Sequence, residues 1–330
     1  MAGLEDVARA AGVSASTVSR AMSRPDMVAP RTLERVRAAA AELGFRANPA
    51  ARALTTGRTG YLAMVVPDLH NPFYGGVISG AQQAAERRDA RLVITVTDGR
   101  QDREAAALRD LAGQVDGFAL LSPVSTAAEL AAARRRAPVV VVNRRVPGVT
   151  SFTADTPGGL ARIFDRLEEL GHTDVGYLAG PPGSWMDRRR RAELRDRAAR
   201  RGLRLHVFGP VRPAFAEGAA AAGEVLASGC GAVLAYNSLL LLGLLFEFGR
   251  RGVRVPADIS VAAADDMAFA DLPGQPISAL RVPAVELGLR AADALRAMVD
   301  GGGSSPRPAS RILPTEVTLT GSLAAPPSRG

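Results

Sequence analysis

Eight residues suited to ligand chemistry each follow a short apolar run: Asp68, Asn71, Phe73, Ser122, Trp185, Arg190, Asn237 and Asp265. Carboxylates, amides and a guanidinium around aromatic faces suit a polyhydroxylated ring such as a sugar. The polar groups take the hydroxyls while an aromatic face covers the apolar side of the ring. Two of the eight have a plain structural alternative: Asp68 as a helix cap, and Trp185, the only tryptophan, as a packing residue. No catalytic group assembles. Asp265 and Asp266 are adjacent on a loop, where two carboxylates rarely converge on one substrate, and no nucleophile finds a base. The histidines His70, His172 and His206 are scattered and Cys230 is the lone cysteine, so no metal-ligand spacing exists. The chain has no lysine, which excludes a Walker-type phosphate loop. These residues predict a binder without metal, cofactor or catalytic residues.

A second chemistry lies near the N-terminus, where Ser14, Ala15, Ser16, Thr17, Ser19 and Arg20 are small or polar side chains at the start of a helix. Leu4, Val7, Ala8 and Ala11 precede them at the spacing of an amphipathic helix, and Gly12 can end that helix in a left-handed conformation. Ser14 then caps the second helix. A third helix is predicted over 30–43, with Leu33, Val36, Ala40 and Leu43 inward and Pro30 in its first turn, although Ala29 lacks a capping oxygen. This pattern predicts a helix-turn-helix whose second helix enters a DNA major groove. Ala15 and Ser16 would lie over base edges and Arg20 would reach a guanine or a phosphate. Thr17, Ser19 and Asn48 are placed as phosphate ligands. A three-helix bundle without DNA binding has the same pattern. Asn48 and Pro49 open a further helix of at most two turns, too short to be stable alone. Within it Ala51 permits close approach of a symmetry mate, and Leu54 is an apolar wedge for a minor groove. A linker is the simpler alternative.

Charge separates these regions. The chain of 330 residues carries a formal +8, all of its basic residues being arginine. Residues 1–60 hold +4 of the excess and residues 187–204 hold +6, leaving the rest at −2. A basic N-terminal piece suits a polyanion. The run Arg188–Arg191 reads either as an anion site or as a face that pairs with Asp and Glu. A hydrophobic content of 47% fills a sizeable core and argues against wholesale disorder. The longest apolar run, around Leu239 to Phe246, is too short to span a bilayer, and residues 1–6 lack an export signal. One cysteine fits a reducing cytoplasm, with no disulfide framework.

From Tyr61 onward apolar runs alternate with helical stretches. Strands are expected at 62–66, 92–96, 117–121 and 139–142, then at 175–179, 205–208, 232–235 and 259–263. Helices are expected near 73–88, 102–112, 127–136, 157–170, 188–201, 215–227, 239–250 and 283–299, with one further strand near 312–320. This is an α/β chain with two doubly wound lobes in succession. Its ligand cleft is expected beyond the carboxyl ends of the strands.

The N-terminal residues resemble the lactose-repressor (LacI/GalR) family of bacterial transcription regulators. Asp6 through Ser14 and then Thr17-Val18-Ser19-Arg20 resemble its DNA-reading signature, and Asn48 through Leu54 its hinge helix. The likeness continues through Val66-Pro67-Asp68, Asn71-Pro72-Phe73-Tyr74, Val115-Asp116-Gly117, Glu169-Leu170-Gly171-His172 and Val255 to Val261, and reaches Gly321-Ser322. The resemblance implies a regulator whose hinge helices pair across an operator and whose core resembles periplasmic sugar-binding proteins. It assigns Arg190 and Asp265 to the family's effector-binding arginine and aspartate, Asn237 to a nearby asparagine, and Phe73 and Trp185 to stacking positions. The chain departs from the pattern at four places: Glu193 for a glycine, Ser238 for an aspartate, Ala263-Ala264 for a glycine–aromatic pair, and Thr320 for an arginine. These put the identity of the effector in doubt, not the fold.

The expected organisation is a helix-turn-helix domain over 1–46, a hinge and linker over 47–60, a core over 61–322 and a disordered tail over 323–330. Within the core, the first lobe takes about 61–152 and a segment near 281–305, and the second takes 153–280 and 306–322. The expected partners are a near-palindromic operator, a small carbohydrate effector and a second copy of the chain, with helices 73–88 and 239–250 at the dimer contact. No membrane partner is expected. The competing reading is a stand-alone sugar-binding protein, which leaves residues 1–60 unexplained.

Overall fold

A computed structural model describes residues 2–23, 27–45, 57–265, 276–301 and 308–327. They divide into two compact units, residues 1–61 with 113–116, and residues 62–112 with 117–330. The first unit contains three helices, α1 (Leu4–Ala11), α2 (Ala15–Ser23) and α3 (Pro30–Glu42). Val7, Val18 and Val36 are fully buried at their crossing, ringed by Ala8, Ala11, Ala21, Ala39 and Ala40. Alanines at most of the buried positions let the short helices approach closely. Gly12 ends α1 at φ 59°, a conformation that costs other residues about 1–2 kcal/mol. The Arg35 guanidinium then donates to the carbonyls of Ala11 (2.6 Å) and Gly12 (3.2 Å), satisfying acceptors that the helix end leaves open. Ala29 caps α3 with no side chain, and Pro30 begins it.

The second unit holds two six-stranded sheets. The first sheet, in spatial order, is β11 (Ser310–Leu313), β5 (Thr150–Ala154), β4 (Val139–Val142), β3 (Gly117–Leu121), β1 (Tyr61–Val66) and β2 (Arg91–Val96). The second is β12 (Glu316–Thr318), β10 (Ser278–Arg281), β9 (Ser260–Ala263), β8 (Ala232–Ala235), β6 (Asp174–Leu178) and β7 (Arg204–Phe208). Strands β3, β4, β6, β8 and β9 are buried along their whole length, which is why they read as apolar runs apart from Asp174 and Ser260 at the starts of β6 and β9. The edge strands β2 and β7 are partly exposed instead.

Helices α4 (Pro72–Glu86), α5 (Gln101–Asp110), α6 (Ala127–Arg134) and α11 (Ala284–Asp300) belong to the first lobe. Helices α7 (Thr156–Glu169), α8 (Trp185–Arg201), α9 (Phe215–Ala227) and α10 (Ser238–Arg250) belong to the second. Helix α11 lies against α4 at very short range. A Cβ on Gly80 would sit 1.9 Å from the Val285 carbonyl oxygen, and one on Gly288 would sit 2.0 Å from that of Val77.

The chain crosses between lobes three times: at Asp155 after β5, at Val282-Pro283 after β10, and at Pro314-Thr315 between β11 and β12. This corrects the expected boundaries. The strand expected near 312–320 is two strands in different sheets, so Ser310–Leu313 belongs to the first lobe through its pairing with β5. Strands β5 and β10 were not anticipated, because Thr, Ser and Arg interrupt their apolar character. The expected disordered tail is docked over 323–327: the Ala324 oxygen bonds His172 Nε2 (2.8 Å) and accepts from Ser260 Oγ (3.1 Å).

Candidate functional site

In the three-helix unit, Ser14 organises the start of α2. Its Oγ accepts from Thr17 N at 3.2 Å and lies 2.8 Å from both Ser16 Oγ and Thr17 Oγ1. Ser16 and Arg20 are exposed one turn apart, while Thr17 and Ser19 are half-buried. Ala15 packs partly against the three-helix core, so its outward surface is smaller than the sequence implies. The unit thus has a rigid helix whose first turn offers hydroxyls and whose next turn offers a guanidinium. Asn48, Ala51 and Leu54 lie outside the described residues.

In the second unit, a cleft opens beyond the carboxyl ends of both sheets. Asn71, Phe73, Tyr74, Asn143, Thr156, Arg190, Tyr236, Asp265 and Val282 converge on an inner chamber of about 20 Å³. An outer chamber of about 70 Å³ adds Ser122, Arg144, Pro181, Pro182 and Trp185. The inner chamber has room for about one water, so nothing larger fits it in this arrangement of the lobes.

Arg190 is the centre of the inner chamber, at 5% exposure. Its Nε donates to Thr156 Oγ1 (3.0 Å) and its Nη1 to the Tyr236 carbonyl (2.8 Å), while the guanidinium stacks on the Tyr236 ring 5.1 Å from the centroid. These contacts leave Nη2 with no hydrogen-bond partner among the described residues. Gly180 makes the stacking possible, since a Cβ there would lie 2.5 Å from the Tyr236 ring. Behind Arg190, the buried Asp187 carboxylate accepts from Tyr177 Oη (3.0 Å), Gly180 N (3.0 Å) and Arg191 Nε (2.7 Å). Asp187 therefore fixes the turn ahead of α8 and is unavailable to a ligand. Burial holds the Tyr74, Tyr177 and Tyr236 hydroxyls above the ordinary tyrosine range, keeping them neutral.

Several expected ligand groups double as helix caps. Asp68 accepts from His70 N (2.8 Å) and Asn71 N (2.9 Å), and it lines neither chamber. Asn71 caps α4 and Asn237 caps α10. Asp265 accepts from Ser238 N at 2.9 Å, at that same helix start. Asn237 is fully buried, and its Nδ2 has no partner among the described residues. Ser122 and Asn143 follow neighbouring strands, both at positive φ (48° and 64°), and are joined by a 2.8 Å bond from Asn143 Nδ2. Such strained backbone at a strand end is a frequent feature of ligand sites. Trp185 stands between the outer chamber and a separate open groove of about 600 Å³.

Sequence reasoning missed Tyr74, Asn143, Thr156 and Tyr236. Asn143 and Tyr236 each follow a strand directly, so extending the strand-end rule to every strand would have found them. Thr156 had no such signal, because β5 was not recognised.

The arginine run divides by direction. Arg190 points into the cleft, Arg191 pairs with Asp187, Arg188 donates to the Gly183 carbonyl (2.9 Å), and Arg189 lines the groove. Further along α8, Arg197 pairs with Asp165 and Glu193, Arg200 with Asp196, and Arg201 with Asp165 and Glu168. The +6 segment is largely an ion-paired face.

Residues 3–48 match the bacterial regulatory proteins of the lacI family, and residues 164–323 match the periplasmic binding protein-like domain. The HTH-type transcriptional regulator CelR of Thermobifida fusca is 32% identical, the match covering 96% of each chain. The chain belongs to the LacI family. The HTH-type transcriptional repressor CytR of Escherichia coli is 28% identical over 98% of this LacI-family chain and 97% of its own. A solved transcriptional regulator CelR–cellobiose complex is 28% identical with a TM-score of 0.71, covering 98% of this chain and all of that one. The lac repressor dimer bound to operator and an anti-inducer has a TM-score of 0.84 at 24% identity, covering 98% and 99% of the two chains, and shows the shared fold. This LacI-family chain is a DNA-binding transcriptional regulator.

Its four departures from the family pattern fall in different places. Glu193 faces Arg197, away from the cleft, and Thr320 donates to the Pro276 carbonyl at 2.6 Å. Ala263 and Ala264 are fully buried and line neither chamber. Ser238 Oγ is buried without a partner among the described residues. Among those residues, no group of three His, Cys, Asp or Glu side chains could hold a metal, and no helix is long and apolar enough to cross a membrane.

Proposed function

We propose that this regulator is a repressor released from its operator when a small neutral sugar or sugar derivative binds between the lobes. The observation that carries this reading is the inner chamber. One guanidinium, one carboxylate, two amides and two phenol rings converge there, giving balanced charge and hydrogen-bonding groups for hydroxyls. A strongly anionic effector fits less well, since only Arg190 of the arginine run lines this space. Arg190, Asp265, Asn71, Phe73 and Asn143 are the residues that would touch the ligand, with Tyr236 and Thr156 orienting Arg190. Ser122 and Trp185 would reach a substituent in the outer chamber, and Asn237 would hold the wall through the α10 cap. Ser16 and Arg20 would read base edges while Ser14, Ala15, Thr17, Ser19, Asn48, Ala51 and Leu54 position the reading head.

An inducer works only by binding the low-affinity state better, so its differential affinity sets the largest possible response. The regulator acts as a homodimer in the cytoplasm, with no enzymatic activity. Half-exposed Phe246 on α10 supports the dimer, being a large apolar side chain on a helix expected at that contact. A stand-alone binding protein leaves the helix-turn-helix without a role.

The test is enrichment of duplexes from a random pool by the full-length chain at moderate salt, followed by a sugar screen read by Trp185 fluorescence. A near-palindromic sequence and a neutral sugar that weakens its binding are expected. Failure to enrich any duplex, or a response confined to phosphorylated sugars, would overturn the corresponding half of the proposal.

A further inference from the structure

We propose that Asp116 is a positioning residue for operator binding, holding the segment that enters β1 in the orientation the reading head requires; this rests on the regulator reading above. Asp116 is half-buried, and its Oδ1 accepts from Thr59 N (2.6 Å) and Thr59 Oγ1 (2.9 Å). Its Oδ2 accepts from Gly60 N at 2.9 Å. Thr59 Oγ1 also accepts from Tyr61 N (3.1 Å), and Asp116 N donates to the Tyr61 carbonyl (2.7 Å). Four hydrogen bonds thus tie three consecutive residues to one aspartate, three of them onto its carboxylate, where charge makes each about twice as strong as a neutral bond. Both carboxylate oxygens act as acceptors, a pattern an amide cannot reproduce because its nitrogen only donates.

The place of this clamp gives it a role beyond local order. Asp116 immediately precedes β3 and Gly60 immediately precedes β1, and the two strands are parallel neighbours with Leu62 opposite Gly117. The opposite ends of the same strands lead to Asn71 and Phe73 after β1 and to Ser122 after β3. Six residues at about 3.3 Å each separate the two ends by about 20 Å. A relative shift of β1 and β3 started at the cleft end is therefore delivered, at the other end, to a single carboxylate and the backbone it holds.

The test uses the full-length chain and a duplex enriched from a random pool. In Asp116→Asn, hydrogen exchange of the Thr59 and Gly60 amides is expected to accelerate at least tenfold. Affinity for the enriched duplex should fall at least tenfold, while affinity for random duplex stays within twofold. Thr59→Ser keeps the hydroxyl and should match the parent; Thr59→Val should fall between. If Asp116→Asn does not fold, the Thr59 pair carries the test. Enriched-duplex affinity within twofold of the parent in the folded variants overturns the clamp, as does unchanged amide exchange. A parent that enriches no duplex overturns the regulator reading itself, and the proposal with it.

Discussion

Replacing Arg190 by methionine separates two roles that the cleft combines. Methionine keeps the length of the apolar stem and removes the guanidinium. Folding loses the bonds to Thr156 Oγ1 and the Tyr236 carbonyl, each worth about 1.5–3 kcal/mol for a charged donor, and the stacking on Tyr236. It also loses the cost of burying a cation that no carboxylate among the described residues pairs directly, a penalty of several kcal/mol. The terms oppose, so stability should change by no more than about 1–2 kcal/mol, or a few degrees in a chain of this size. Effector binding has no such compensation. Losing one charged hydrogen bond from Nη2 costs about 1.5–3 kcal/mol, a fall of roughly 10- to 150-fold. Calorimetric titration with the sugar found by screening, beside a thermal melt, reads both quantities. The reasoning is refuted if affinity stays within threefold of the parent while stability drops by more than about 3 kcal/mol, for Arg190 would then be scaffold.

Arg20→Ala should weaken specific duplex binding by about 1–3 kcal/mol while leaving sugar affinity unchanged, as fluorescence anisotropy would show; equal loss on random duplex would instead mark a phosphate contact. Gly80→Ala forces a methyl onto the Val285 carbonyl and should destabilise by about 1–3 kcal/mol, read as a lower midpoint in urea. His172 is buried with Nδ1 unpartnered among the described residues, and burial lowers its pKa from 6.5. A depressed folded value means that its share of stability is complete above pH 6.5 and is lost as the pH falls through the folded pKa. Urea midpoints should therefore fall between pH 7.5 and 5.5, and His172→Gln should flatten that slope.

Much of the fold was legible because its periodicities are strong. Val139–Val142 is an uninterrupted buried run, and Val7, Val18 and Val36 sit where helical spacing places them. What escaped notice lacked that contrast. β5 reads Thr-Ser-Phe-Thr-Ala and β10 reads Ser-Ala-Leu-Arg, so neither carries a clear apolar period. The cleft was legible in outline, since strand ends mark it, yet the role of each residue was less so. Asn237 and Asp68 have the right chemistry for a sugar but spend their oxygens on backbone amides, a competition that only folded geometry resolves. Tyr236 hid for the opposite reason, since its working groups are a main-chain carbonyl and a ring face.

Two of the three crossings between lobes are tied together. Thr315 Oγ1 donates to the Asp155 carbonyl at 2.9 Å, and Arg162 holds the Thr315 carbonyl at 2.6 Å, so the first and third connections are stitched side by side. Straps joined in this way resist sliding and leave rotation about one axis as the soft motion. A ligand that turned one lobe on the other would then be reported through that one angle, whatever its identity. Changes in the lining, such as at Asn71, Phe73 or Asn143, would alter which compound is recognised without altering how its presence is reported. Recognition and response are separable in this architecture, and one can drift while the other stays fixed.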